Sequence, residues 1–212
     1  PIARLAWRLL DDAFSRPPQP TRHEWFELSD RIKKEGWTLS TMRAFEEVVR
    51  PRIVVSAPDW PRFAPAIQDP ATLRLSDMMK AEIQWFSADG DLAVDGALEC
   101  AFVRAYCEGL RYGVLLLNEI GKDYVHAPSI DAEQVAGERS LNDGGAYFLR
   151  VVRAFEKLLQ SSPDAARRIM ASWPDDDVVY FNKLRIWALR HEALGTGEEV
   201  AGHLNSLTQN FF

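Results

Sequence analysis

The run Asp175-Asp176-Asp177 stands directly before an apolar stretch. It could hold a divalent cation, because Mg²⁺ and Ca²⁺ take carboxylate oxygens. Consecutive side chains on a helix point about 100° apart, so the three do not converge on one ion. Carboxylates at a helix N-terminus cap free N–H groups and meet the positive end of the dipole. The run reads as a cap. The stretch His23-Glu24-Trp25-Phe26-Glu27 has the first half of a zinc-protease helix, but Glu27 stands where the second histidine is required. His126, His191 and His203 are scattered, and no Cys–His spacing suits zinc.

Asn142-Asp143-Gly144-Gly145 could cradle an anion ahead of a helix. It lacks the Lys-Ser/Thr pair of a phosphate loop, and a helix-entry turn is the better reading. No Gly-x-Ser-x-Gly elbow occurs. Cys100 and Cys107 share one helix face, about 10 Å apart along the axis, too far for a disulfide. They read as two small buried thiols in a reducing, cytoplasmic setting. An enzymatic alternative remains: a small helical metal-dependent hydrolase or nuclease using carboxylates such as Glu82, Glu99 or Glu108. Trp37, Trp60 and Phe63, in or beside loops, are the candidates for binding a protein partner. Trp187 lies mid-helix with Phe181, Leu184 and Ala188, and is expected to be largely buried against Ala165, Ile169 and Met170. No motif calls for a cofactor or a metal.

The elements that would position these residues are helices. Net charge is −6, so no overall basic field exists to attract nucleic acid or an anionic membrane. Hydrophobic residues make up 47% and charged residues 26%, the balance of a globular chain with a real core. The longest apolar run, Tyr112 to Ile120, is broken by Gly113 and Asn118 and is too short to span a bilayer.

Helical spacing predicts a first helix over Ile2–Phe14. A second, capped by Thr21 and Glu24, carries Trp25, Phe26, Leu28 and Ile32 until Gly36. A third, capped by Ser40, carries Met42, Phe45, Val48 and Val49. Residues 50–72 are rich in proline and read as an irregular connector with one β-like run, Ile53 to Val55. Leu73 to Phe86 reads as a short helix capped by Ser76.

Asp95 opens the longest helix, Gly96 to about Ile120, where Gly109 and Gly113 allow close approach of a neighbour. A second irregular connector covers 122–145. The helix after it buries Phe148, Val151, Val152, Phe155, Leu158 and Leu159. Ser162-Pro163 starts a helix ending at Trp173-Pro174, the acidic run starts another ending near Leu194-Gly195, and Thr196 with Glu199 caps a last one reaching Leu207. The expected architecture is all-α: an α-solenoid-like or irregular array of antiparallel helix pairs with two irregular connectors. Its parts are 1–49 (N-terminal helical), 50–94 (connector with a short helix) and 95–212 (helical-repeat-like). Pro1 at the start and Phe211-Phe212 at the end give the chain the look of a fragment of a longer protein.

The last quarter carries a resemblance. The residues are Pro163, Ala165-Ala166, Trp173, Phe181 and Leu184-Arg185-Ile186-Trp187-Ala188, with Glu198 to Phe212 following. This stretch resembles the helical regions that follow an amino-terminal sirtuin-type domain in large bacterial anti-phage defence proteins. The resemblance covers about a quarter of the chain. It implies a scaffold and sensor beside a domain that degrades NAD⁺, and it carries over no catalytic residue. The expected function is a non-catalytic helical scaffold and protein-interaction region of a multidomain bacterial defence protein, with a protein partner or self-association.

Overall fold

The computed structural model describes residues 21–56, 80–87, 94, 96–121, 127–130, 143–177 and 179–211. The first predicted helix, Ile2–Phe14, lies outside them. Helix α1 (Thr21–Glu35) turns Trp25, Leu28 and Ile32 toward the core. Phe26, expected on the same stripe, is exposed instead, because one residue's step around the helix moves it off the face that Leu28 and Ile32 share. Gly36, at φ +74°, ends α1 where a side chain would be strained.

Helix α2 (Leu39–Val49) is capped by Thr38, not Ser40: Thr38 Oγ1 accepts from the Thr41 N–H at 3.1 Å, and Thr41 Oγ1 accepts from the Thr38 N–H at 2.8 Å. Ser40 accepts from Arg31 of α1. The reciprocal pair needs residues three apart, and Thr38 and Thr41 supply them.

Strand β1 (Arg52–Ser56) pairs antiparallel with β2 (Lys80–Gln84), with Val54 opposite Glu82. The expected helix over Leu73–Phe86 is therefore corrected: its described end is a strand, and the segment around Ser76 lies outside the described residues. Ile53 packs on Leu116 with Val55, Ala81 and Ile83 beside it, while Val54 faces outward. The alternation is that of a half-covered hairpin. Arg52 anchors it to α1 through a two-pronged pair with Glu24, 2.9 Å at the closest. Glu24 was expected in a capping box with Thr21, whose side chain is not among the described ones.

Helices α3 (Gly96–Glu119) and α4 (Asp143–Ser161) are the central pair. Phe148, Val151, Val152, Phe155, Leu158 and Leu159 are buried, as their spacing predicts. Gly109 and Gly113 do allow close approach, but by aromatic rings. The Tyr147 hydroxyl sits against Gly109, and the Trp85 ring sits against Gly113 and Gly144. Phe45 of α2 stacks on Phe102 of α3 at 4.7 Å and meets Tyr106 edge-on.

Helix α5 (Pro163–Ala171) starts at its proline as expected. Helix α6 (Tyr180–Ala188) is shorter than expected at both ends. It starts after the acidic run, and past Ala188 the chain turns so that Leu194 is buried. Lys183 of α6 donates to the Ala127 carbonyl at 2.8 Å, pinning that stretch of the second connector. Helix α7 (Gly197–Phe211) runs beyond Leu207.

Packing follows chain order, with α1 on α2, α2 on α3, α3 on α4 and α4 on α5, and the hairpin lies on α3. One cluster of buried side chains runs from Leu28 through Trp85 and α4 to Leu194. The described chain is mostly helical, with a single two-stranded hairpin. Among the described residues no helix is long and apolar enough to cross a membrane.

Candidate functional site

The three aspartates before α6 go three separate ways. Asp177 Oδ1 accepts the N–H groups of Val179, Tyr180 and Phe181 at 2.9, 2.7 and 3.4 Å, and so caps the helix. Asp175 pairs with Arg185 at 2.9 Å, while Arg185 also donates to the Trp173 carbonyl at 3.0 Å. Asp176 is exposed. The carboxylates share no focus. Burial, with Asp177 nearby, pushes the Tyr180 hydroxyl well above its usual value.

The other chemical candidates are equally separated. Glu82 is exposed on β2, Glu99 accepts a hydrogen bond from Ser161 at the end of α4, and Glu108 lies in a different groove. Among the described residues no group of three or more His, Cys, Asp or Glu side chains could hold a metal ion. His191 meets the Trp187 ring edge-on at 5.2 Å. His203 of α7 is held below the usual imidazole value by burial, then by Arg185. His126 and the His23 side chain are outside the described residues. Cys100 and Cys107 are free, and burial pushes the Cys107 thiol up to about 12, which keeps it un-ionised and unreactive. At α7, Thr196 and Glu199 cap each other as their spacing predicts, and these bonds hold the exposed Glu199 carboxyl below its ordinary range.

Of the expected partner-binding aromatics, Trp60 and Phe63 lie outside the described residues. Trp37 is half-buried on the α1–α2 turn, edge-on to Phe45 at 5.5 Å and to Phe102 at 5.6 Å. Two residues of the same hairpin are far more exposed: Phe26 at 65% and Leu39 at 74%. Helical spacing carries the signal for Phe26, since Leu28 and Ile32 lie on the opposite side of α1. Trp187 is mostly covered and packs on the buried cluster, in line with the expected burial. Its ring meets Phe155 at 6.0 Å, and Trp173, at 4.9 Å from the same phenylalanine, takes the buried place.

Two grooves lie over α3. One, about 400 Å³, is walled by Glu46, Glu47, Arg104 and Glu108, with the Arg50 guanidinium over the Tyr112 ring at 4.1 Å. The other, about 490 Å³, lies between the start of α3 and the end of α4. No family model, curated protein or solved structure matches the chain.

Proposed function

We propose that the chain is a non-catalytic helical scaffold and protein-interaction region of a multidomain bacterial anti-phage defence protein, its helix pairs stacked in a solenoid-like array. The observation that carries the interaction reading is the α1–α2 hairpin, which holds Phe26 and Leu39 outward on regular helices, with Trp37 between them in sequence. Large apolar side chains fixed on rigid elements are the anchors from which protein contacts are built. The polar contacts support a scaffold: Glu24–Arg52 ties α1 to the hairpin, and Asp175–Arg185 ties α6 to the turn before it. The defence context comes from the resemblance of the last quarter. Its residues Ala165, Ala166, Trp173, Phe181, Leu184 and Ala188 are buried and Trp187 is half-buried, so what resembles is chiefly the packing.

The test is phage challenge of bacteria expressing the complete protein. Phe26→Asp with Leu39→Asp leaves the buried core untouched and should abolish protection while expression stays normal. Protection undiminished in the double variant, or none conferred by the wild type, would overturn the reading.

A further inference from the structure

We propose that the groove between the start of α3 and the end of α4 binds a free α-amino acid with an aliphatic side chain. Its volume of about 490 Å³ falls in the range of small-molecule sites, roughly 300–1,000 Å³. Its floor is apolar and well packed: Phe102, Val103 and Ala154 are buried side chains whose outer faces line it. Its rim carries one charge of each sign. Glu99 stands on α3, half-buried, and is held by the Ser161 hydroxyl of α4.

Lys157 stands one turn before Ser161 on α4, which places it about 5–6 Å from that serine along the same helix face. A carboxylate has about four acceptor sites and an ammonium three donors. Both groups can therefore keep their protein partners and still take a ligand. Lys157 is exposed and Glu99 partly buried, so a ligand with a single charge would use only one of the two poles. An α-amino acid carries both charges on adjacent atoms. Its ammonium would meet Glu99, its carboxylate Lys157, and its side chain the floor. An aliphatic side chain matches that floor, which offers no polar group of its own. This inference does not depend on the interaction reading, because it uses Glu99 of α3 and Lys157 of α4 and neither Phe26 nor Leu39.

Calorimetric titration of the folded chain with L-leucine tests it, alongside L-leucinamide, 4-methylpentanoate and glycine. These analogues lack in turn the carboxylate, the ammonium and the apolar side chain. Leucine should bind saturably below about 10 mM, and loss of either charge should weaken binding about tenfold or more. Glu99→Gln retains the serine contact and should weaken leucine by a similar factor. It should not weaken 4-methylpentanoate, which has no ammonium for Glu99 to meet and whose carboxylate loses a like charge nearby. Absence of saturable leucine binding would overturn the proposal, as would equal leucine binding in wild type, Glu99→Gln and Lys157→Met.

Discussion

Asp175, Asp176 and Asp177 are chemically identical, and their environments give them different work. Asp177 alone satisfies free N–H groups of α6, so Asp177→Ala should cost about 1–2 kcal/mol. Asp176, exposed, should cost less than about 0.5 kcal/mol on the same change. Asp175→Ala should cost less than about 1 kcal/mol, because its carboxylate is 94% exposed and Arg185 keeps the Trp173 carbonyl. Urea denaturation of the three single variants ranks them, and equal losses at Asp176 and Asp177 would refute the cap assignment. The capping role was legible in the sequence. Which aspartate caps was not, because the start of α6 at Tyr180 depends on packing that no local pattern encodes. Trp187 was legible: helical spacing marks it as apolar-facing, and it packs on the buried cluster, with Trp173 closer to Phe155.

At the scale of elements, α4 and its partner α3 are held by rings that fill the space left by glycines. Adding a Cβ at Gly109 would strike the Tyr147 hydroxyl and crowd the Val49 carbonyl. Gly109→Ala should therefore destabilise by about 1–3 kcal/mol. Tyr147→Phe alone loses the bond to the Tyr106 carbonyl, 3.3 Å long, at a cost of about 0.5–1.5 kcal/mol. In the double variant the removed hydroxyl relieves the clash, so the two losses should fall short of additive. Strict additivity in a denaturation cycle would show that the ring does not rest on Gly109.

The strongly periodic elements, α4 above all, were legible because one face of each is apolar throughout. Strand β2 was missed because Lys80, Ala81, Glu82 and Gln84 are good helix formers, and its strand state comes from pairing with β1. Two clues were present: the run Ile53-Val54-Val55 needs a partner strand, and Ala81 and Ile83 alternate with polar residues.

For the whole molecule, one buried cluster runs from Leu28 of α1 through α6 to Leu194, and a second, smaller one sets Ile53 of the strand pair on Leu116 of α3. The exposed side chains of Phe26 and Leu39 stand on α1 and α2, and the amphoteric groove is lined from α3 and α4. Phe26 read as core, although its helical spacing already sets it opposite Leu28 and Ile32. Glu99 gains a meaning beyond its charge only when α4 brings Ser161 and Lys157 alongside.

The central proposal is that the chain is a scaffold and not a carboxylate-based metal enzyme. Thermal unfolding in the presence of Mg²⁺, Mn²⁺, Ca²⁺ or Zn²⁺ tests it most directly. A ligand that binds only the folded state stabilises it by RT ln(1 + [L]/Kd), about 2.7 kcal/mol at a hundredfold excess over Kd. With Glu82, Glu99 and Glu108 in separate environments, the melting temperature should stay within about 1 °C at millimolar metal, well under the several degrees that such binding would give. A saturable rise of several degrees, abolished by Glu99→Gln or Glu108→Gln, would contradict the scaffold reading and restore the hydrolase.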